Sequence, residues 1–281
     1  MKLLIQSQHS LQSHLQQIAQ MLGSDGSTEL KKINDAIYLC ELNQPMSEAL
    51  KSYLDLKEID FAILENYSAL SEFDLCVMDM DSTLISIECI DEIADMCGKK
   101  ADIALITKSA MMGEIDFSES LIKRVSFLKG LDEEMLFKVI HERLKFNSGV
   151  RKWIDACRKN NVTTVVVSSG FDHFTSYVKN ELGIDFLISN KLEIVDKKLT
   201  GKVLGQIIND EVKAQTVKDF QKKLKIDKSK TIVIGDGAND LRMLDEASYS
   251  IAYHAKPIVQ KNARFKLNYL DFKGVLNLFK V

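Results

Sequence analysis

The chain has 281 residues, 46% of them apolar, which is enough for one large domain or two modest ones with a substantial core. Its 37 basic and 40 acidic residues give a formal charge of -3, with no basic block. That balance excludes an electrostatic footprint for nucleic acid or for an anionic membrane surface, and leaves a small soluble partner as the default. The longest strongly apolar runs, such as VTTVVV from Val162 to Val167, are strand-sized and far short of the roughly 20 residues that span a bilayer. MKLLIQSQHS at the N-terminus has no small-residue cleavage pattern, so no secretory signal is read. Cys40, Cys76, Cys89, Cys97 and Cys157 are odd in number and form no CxxC pair. They predict reduced, packed thiols and a cytoplasmic location, not zinc ligands or disulfides.

Residues 1–70 predict a small α+β domain. A strand over Lys2–Gln6 leads to a helix with Leu11, Leu15, Ile18 and Leu22 on one face, then a strand over Ala36–Leu42 and a helical stretch over Met46–Leu64. No polar residues cluster there at catalytic spacing, so the unit has no assigned chemistry and reads as stabilising or partner-binding. Over residues 71–281 the pattern changes to short β-rich runs alternating with helical segments: LCVMD at 75–79, TTVVVS at 163–168 and TIVIGD at 231–236. Such continuous apolar runs predict an α/β architecture with a parallel sheet covered on both faces. Each run ends in polar residues, namely Asp79, Ser168-Ser169-Gly170 and Asp236-Gly237. Ligands of open α/β sheets bind beyond the carboxyl ends of the strands, so these tips are expected to converge on one crevice.

Between the first two runs, at about residues 85–147, lie CIDEIADMCG, ADIALITKSAMMG and SESLIKRVSFLKG, which fit helices. An insert of that size exceeds a simple crossover and predicts a helical lid over the strand tips. Met111 and Met112 read as core packing in preference to forming a hinge with Gly113. FLISNKLEIVDKKLTGKVLG, residues 186–205, predicts a β-hairpin about a DKK turn.

Four pieces carry chemistry. In VMDMDST, residues 77–83, Asp79 and Asp81 lie two apart. In an extended chain both carboxylates point to one side and repel unless a cation, a phosphoryl group or water compensates. Taken alone, the stretch is equally explained by a helix beginning near Thr83 with Asp81 or Ser82 as its cap. In IGDGANDLRML, Gly237-Ala238 permits close backbone approach, and a helix starting near Asn239 aims its amides at the crevice. Asp79, Asp81 and Asp236 then converge from neighbouring tips as a hard oxygen set suited to Mg2+. In VVVSSGF, Ser168, Ser169 and Gly170 make an anion cradle of a hydroxyl and backbone N–H groups, although a plain turn reads the same way. Lys213, in NDEVKAQTVKDF, is singled out only by its place in this order.

The order Asp-x-Asp-Ser-Thr, strand-Ser, Lys and Gly-Asp-Gly-x-Asn-Asp resembles the haloacid dehalogenase superfamily of phosphatases and phosphotransferases, from about Asp74 to the C-terminus. The resemblance implies a doubly wound, Rossmann-like parallel sheet with a lid inserted after the first motif. It further implies Asp79 as nucleophile, Asp81 as general acid and base, and Ser168 and Lys213 as holders of the phosphoryl group. Mg2+ would sit on Asp79, Asp236 and the main-chain carbonyl of Asp81, supported by Asn239 and Asp240. Within the superfamily, residues 79–95 with KRVSFLKG, GDGANDLRML and IAYHAKP are similar to the phosphoserine phosphatase family. That similarity implies hydrolysis of O-phosphoserine, the last step of serine biosynthesis, with Glu88 and Arg124 contacting the amino acid and Ser169 and Asn239 in the substrate site. One departure stands out: where that family commonly reads Ser-Gly-Gly-Phe, this chain has Ser168-Ser169-Gly170-Phe171. If Ser169 turns its N–H toward phosphate, its hydroxymethyl group must point away.

In the implied reaction Asp79 attacks phosphorus to form an aspartyl-phosphate. Asp81 protonates the departing serine oxygen and then takes a proton from the water that cleaves the intermediate. Glu88 complements the ammonium of the substrate and Arg124 its carboxylate, unless both are merely solvent-facing helix charges. Two other readings stay open: action on another small phosphomonoester or transfer to another alcohol, and a regulatory role in which residues 1–70 sense a metabolite. A homodimer is compatible with the sequence, which does not decide it.

Overall fold

A computed structural model describes residues 1–23, 29–112 and 114–280. The first elements are β1 (Lys2–Gln6), α1 (Leu15–Leu22), β2 (Lys31–Asn34), β3 (Ile37–Glu41), α2 (Glu48–Leu56) and β4 (Asp60–Leu64). Their strands form an antiparallel sheet in the order β2-β3-β1-β4, the split β-α-β-β-α-β arrangement. β1 is central, pairing Lys2 with Glu41 on one side and with Leu64 on the other. Leu3, Ile5, Tyr38 and Cys40 pack with Ile18, Leu22, Leu50 and Leu54 of the two helices. Leu4, Ile37, Ala62 and Leu64, from the opposite face of the sheet, join the main core of the molecule.

The helix expected over Met46–Leu64 is in fact two elements. α2 is capped by Ser47, whose hydroxyl accepts from Leu50 N at 3.2 Å, and it ends at Leu56, so that 60–64 forms β4. Ile59, Ala62 and Ile63 are spaced as a helical stripe, whereas in the strand Ala62 and Leu64 share one face and Phe61 and Ile63 the other; pairing with β1 decides between them. Leu11 is buried but precedes α1, and β2 went unforeseen because its four residues are all exposed and leave no pattern.

The larger part begins with β5 (Leu75–Met78), followed by α3 (Cys89–Met96), α4 (Lys100–Met111), α5 (Phe117–Ser126), α6 (Glu134–Glu142) and α7 (Val150–Lys159). Next come β6 (Thr163–Phe171), α8 (Asp172–Leu182), β7 (Phe186–Val195), β8 (Lys198–Leu204) and α9 (Asp210–Leu224). β9 (Thr231–Gly235), α10 (Leu241–Leu244), β10 (Tyr249–Tyr253), α11 (Pro257–Asn262), β11 (Phe265–Leu267) and α12 (Phe272–Leu276) complete the order. The sheet runs β11-β10-β9-β5-β6-β7-β8, parallel except for β8 against β7. Cys76 and Met78 of β5 belong to one core and Leu75 and Val77 to the other, so both faces are covered and the strand reads as one apolar run. From β5 the chain winds outward through β6 and β7, then crosses back to β9 and β10. The carboxyl ends of β5, β6 and β9 flank that reversal, the place where sheets of this kind form their ligand crevice.

The insert expected to form a lid consists of α3 to α6 and stands on two stalks. Ile85 bridges Phe146 in antiparallel fashion, Ser86 N donates to Lys145 O at 2.9 Å, and Asn147 N donates to Leu84 O at 3.0 Å. Residues 81–84 are a turn and the first helix begins at Cys89, so the helix considered at Thr83 does not form. Met112 is 65% exposed, which overturns its reading as core. Leu105 of α4 is exposed as well while Ile103 on the same helix is buried in the main core, so an apolar residue here does not by itself mark the buried face; Gly113 lies outside the described residues. The hairpin of β7 and β8 turns through Asp196 and Lys197, both left-handed at φ 49 and 61, as a two-residue turn between twisted strands requires. That hairpin holds the far side of the lid: Gly130 N and Leu199 N donate to Leu199 O and Leu131 O, each at 2.8 Å. Among the described residues, no helix is long and apolar enough to cross a membrane.

Candidate active site

Asp79 extends β5 by one residue, its N–H donating to Ile234 O at 3.0 Å, and its buried side chain points into the crevice. Lys213 is fully buried there, with Nζ at 2.8 Å from Asp79 Oδ1 and 2.7 Å from Asp240 Oδ1. It reaches this position because Asn209 caps α9, accepting from Val212 N at 3.0 Å, and so starts the helix one turn earlier. Burial works against the ammonium, but Asp240 and Asp79 more than offset it and hold Lys213 charged above its ordinary value. Burial, then the Asp240 charge, push Asp79 well above the usual carboxylate range, with Lys213 pulling the other way.

Asp236, at the tip of β9, accepts from Thr83 Oγ1 at 2.9 Å. Burial and the neighbouring Asp240 raise it to about 6 against the pull of Thr83, Lys213 and Lys256. Carboxylate oxygens of Asp79, Asp236 and Asp240 lie within 4.8 Å of one another. Asp240 is fully engaged, with Oδ1 on Lys213 and Oδ2 accepting from Asp236 N at 3.1 Å and Gly237 N at 3.0 Å. One oxygen each of Asp79 and Asp236, and the Asp81 main-chain carbonyl, accept no hydrogen bond among the described residues. This donor set of free hard oxygens fits Mg2+, and Asp240 serves it by holding Lys213 and the 236–237 amides in place.

Asp81 has different company. Its Oδ1 accepts from Cys89 N at 3.0 Å, and its Oδ2 lies 3.4 Å from Ser168 Oγ, which itself accepts from Gly170 N at 2.9 Å. Burial raises its pKa against the Cys89, Lys213 and Ser168 contacts, and a raised value suits a proton donor. A Cβ on Gly170 would stand 2.6 Å from Asp81 Oδ2, so only glycine allows the serine turn this close. Ser169 turns its side chain away, donating from Oγ to Ile208 O at 2.8 Å, which leaves the cradle open despite the added hydroxymethyl.

Glu88 and Arg124 stand on the lid side. Ser82 Oγ donates to Glu88 Oε1 at 2.7 Å. Although Glu88 still reaches water at the mouth, its withdrawal from bulk solvent and the Asp81, Asp236 and Asp91 charges push it up to about 7. The pKa of the Arg124 guanidinium is lowered by burial and supported by Asp91, Glu88 and Asp81, and its buried Nε has no hydrogen-bond partner among the described residues. Arg124 is half-buried and so departs from a plain solvent-facing charge, whereas Glu88 keeps an exposed side. Asn239 is half-buried in the short turn Ala238–Asp240 and makes no side-chain hydrogen bond to the cluster among the described residues. Sequence reasoning missed the donor role of Thr83, which sat inside a quoted motif, and missed Asn147 and Asn190, which no local spacing marks.

Residues 76–245 match the family model described as haloacid dehalogenase-like hydrolase. A phosphoserine phosphatase of Polaromonas sp. (strain JS666) is 44% identical over 216 residues, spanning 75% of this chain and 92% of the relative. A solved HAD family hydrolase from Salmonella enterica serovar Typhi is 30% identical with a TM-score of 0.88, covering 99% of this chain and 98% of that one. A solved phospho-aspartyl intermediate analogue of phosphoserine phosphatase is 36% identical with a TM-score of 0.69, covering 74% of this chain and 99% of that one.

Proposed function

This chain belongs to the haloacid dehalogenase-like hydrolases, and from that premise we propose that it hydrolyses O-phosphoserine through an aspartyl-phosphate on Asp79, with Mg2+ as cofactor. The observation that carries the substrate is Arg124. Its buried Nε, which has no hydrogen-bond partner among the described residues and lies where the Glu88 charge is felt, is a donor that the carboxylate of an amino acid would satisfy.

Asp79, Asp236 and the Asp81 carbonyl would hold Mg2+, which supplies neutralising charge for an incoming phosphate dianion. Lys213 adds a second positive charge against Asp79, so its carboxylate and the dianion can share one space. Ser168 and the amides of its turn hold phosphoryl oxygens while Asp79 attacks in line. The bond from phosphorus to the serine oxygen breaks as that to Asp79 forms, and Asp81 hands its proton to the leaving oxygen. Asp81 then takes a proton from the water that cleaves the aspartyl-phosphate. Glu88 receives the ammonium and Arg124 the carboxylate of the substrate, and the lid carrying both excludes bulk water from the first step.

The test is phosphate release by purified protein with Mg2+. Asp79→Asn is expected to abolish turnover of every monoester. Arg124→Ala should raise KM for O-phosphoserine roughly 100-fold, as loss of a charged hydrogen-bonding pair does, while p-nitrophenyl phosphate hydrolysis is spared. Equal losses on both substrates would remove Arg124 from substrate choice, and rapid hydrolysis of sugar phosphates without any of O-phosphoserine would overturn the substrate.

A further inference from the structure

Asn190 is 1% exposed, stands on β7 two strands from the nucleophile and lies outside every motif. Both ends of its amide are used: Nδ2 donates to Ser169 O at 2.7 Å, and Oδ1 accepts from Ile208 N at 2.9 Å. Ser169 Oγ closes the cluster by donating to Ile208 O at 2.8 Å. Ile208 lies in the connection between β8 and α9, where no ladder serves its peptide groups, so side chains of β7 and β6 satisfy both its N–H and its C=O. The register of β6 against β7 shifts between Val167 and Phe171, so the serine turn sits where regular pairing is interrupted.

Two anion-binding elements meet at this cluster. Ser168-Ser169-Gly170 is one. The other starts one residue beyond Ile208, where Asn209 caps α9 and accepts from Lys213 N at 2.9 Å. We propose that Asn190 and the Ser169 hydroxyl form a buried latch that sets the position of Lys213 relative to the serine turn, making both positioning residues for phosphate. The latch rests on reading those two elements as the phosphate site. Its physical basis is that the Ile208 peptide needs partners and finds them in the cradle itself, so satisfying that peptide and aligning the cradle are one requirement. Neither side chain has to touch phosphate for this.

Calorimetric titration of the full chain with inorganic phosphate in the presence of Mg2+ tests the latch without relying on turnover. Ser169→Ala is expected to weaken phosphate binding about 10-fold, and Asn190→Ala at least as much. Both should raise deuterium exchange over residues 207–213 and leave the ratio of kcat/KM for O-phosphoserine to that for p-nitrophenyl phosphate as it was. Ser169→Thr keeps the donor and should recover most of the affinity. If Asn190→Ala does not fold, as its melting curve would show, the Ser169 variants decide alone. Wild-type phosphate affinity in Ser169→Ala, or equal losses in the alanine and threonine variants, overturns the latch. A chain that binds phosphate as stated but leaves O-phosphoserine intact sinks the proposed substrate and keeps the latch; one that binds no phosphate overturns both.

Discussion

Under the proposed function, Glu88 is where the electrostatics of the crevice would meet the choice of substrate. With its carboxyl pushed up to about 7, it is protonated below that pH and charged above it, and only the charged form pairs with an ammonium. In the free enzyme, kcat/KM for O-phosphoserine is therefore expected to fall about 10-fold per pH unit below 7, a limb that p-nitrophenyl phosphate lacks. Phosphate ionisation is common to both substrates, so comparing their profiles isolates the carboxyl. Persistence of the limb in Glu88→Gln would assign it to another group, with Asp236 at about 6 the nearest in value. At this scale the placing of Asp79 and Asp236 at the ends of β5 and β9 was legible because strand ends act over a few residues, whereas Asp81 lies in the turn that follows. Ser82, left-handed at φ 55 and bonded to Glu88, was not, since a serine in a turn looks the same with or without that bond.

The lid shows what elements add. Asn147 Nδ2 donates to Thr83 O at 2.6 Å and to Ile85 O at 3.3 Å, tying the returning stalk to the departing one just beyond Asp81. Asn147→Ala removes these bonds and should destabilise the fold by about 1 to 2 kcal/mol in urea unfolding. It should also raise KM for O-phosphoserine more than KM for p-nitrophenyl phosphate, because Glu88 and Arg124 ride on the lid. An unchanged KM ratio would mean that lid orientation is set by the contacts of Leu131 and Leu199 on the far side. The helical insert was legible from its size and the hairpin as alternation about a turn. β4 was not, because five residues that alternate in burial also fit the end of a helix until β1 pairs with them.

At the scale of the molecule, the small antiparallel sheet closes the core of the large one. Leu4, Ile37, Ala62 and Leu64 share a cluster with Phe265, Leu267, Leu270 and Phe272. Asp60 fastens this junction: its buried carboxylate accepts from Asn268 N at 2.8 Å, Tyr269 N at 3.1 Å and Leu270 N at 2.8 Å. Burial nevertheless raises its pKa against those three donors. Asp60→Ala strands three N–H groups and should destabilise the protein by about 3 kcal/mol in urea unfolding. A loss below about 0.5 kcal/mol would mean that apolar contact alone docks the sheet. The same variant tests whether residues 1–70 serve the catalytic part through stability, since activity per folded molecule should then hold.

What the sequence determined by itself is the strand ends and the polar groups placed at them, because side-chain period, apolar runs and turn residues act within a few positions. Tertiary structure alone decided which groups meet. Lys213 and Asp79 are 134 positions apart, and Asn190 and Ile208 are joined through a cluster that no spacing announces. Those meetings depend on the crossover from β7 and β8 back to β9 and on burial, which obliges each polar group to find a partner wherever the fold places one.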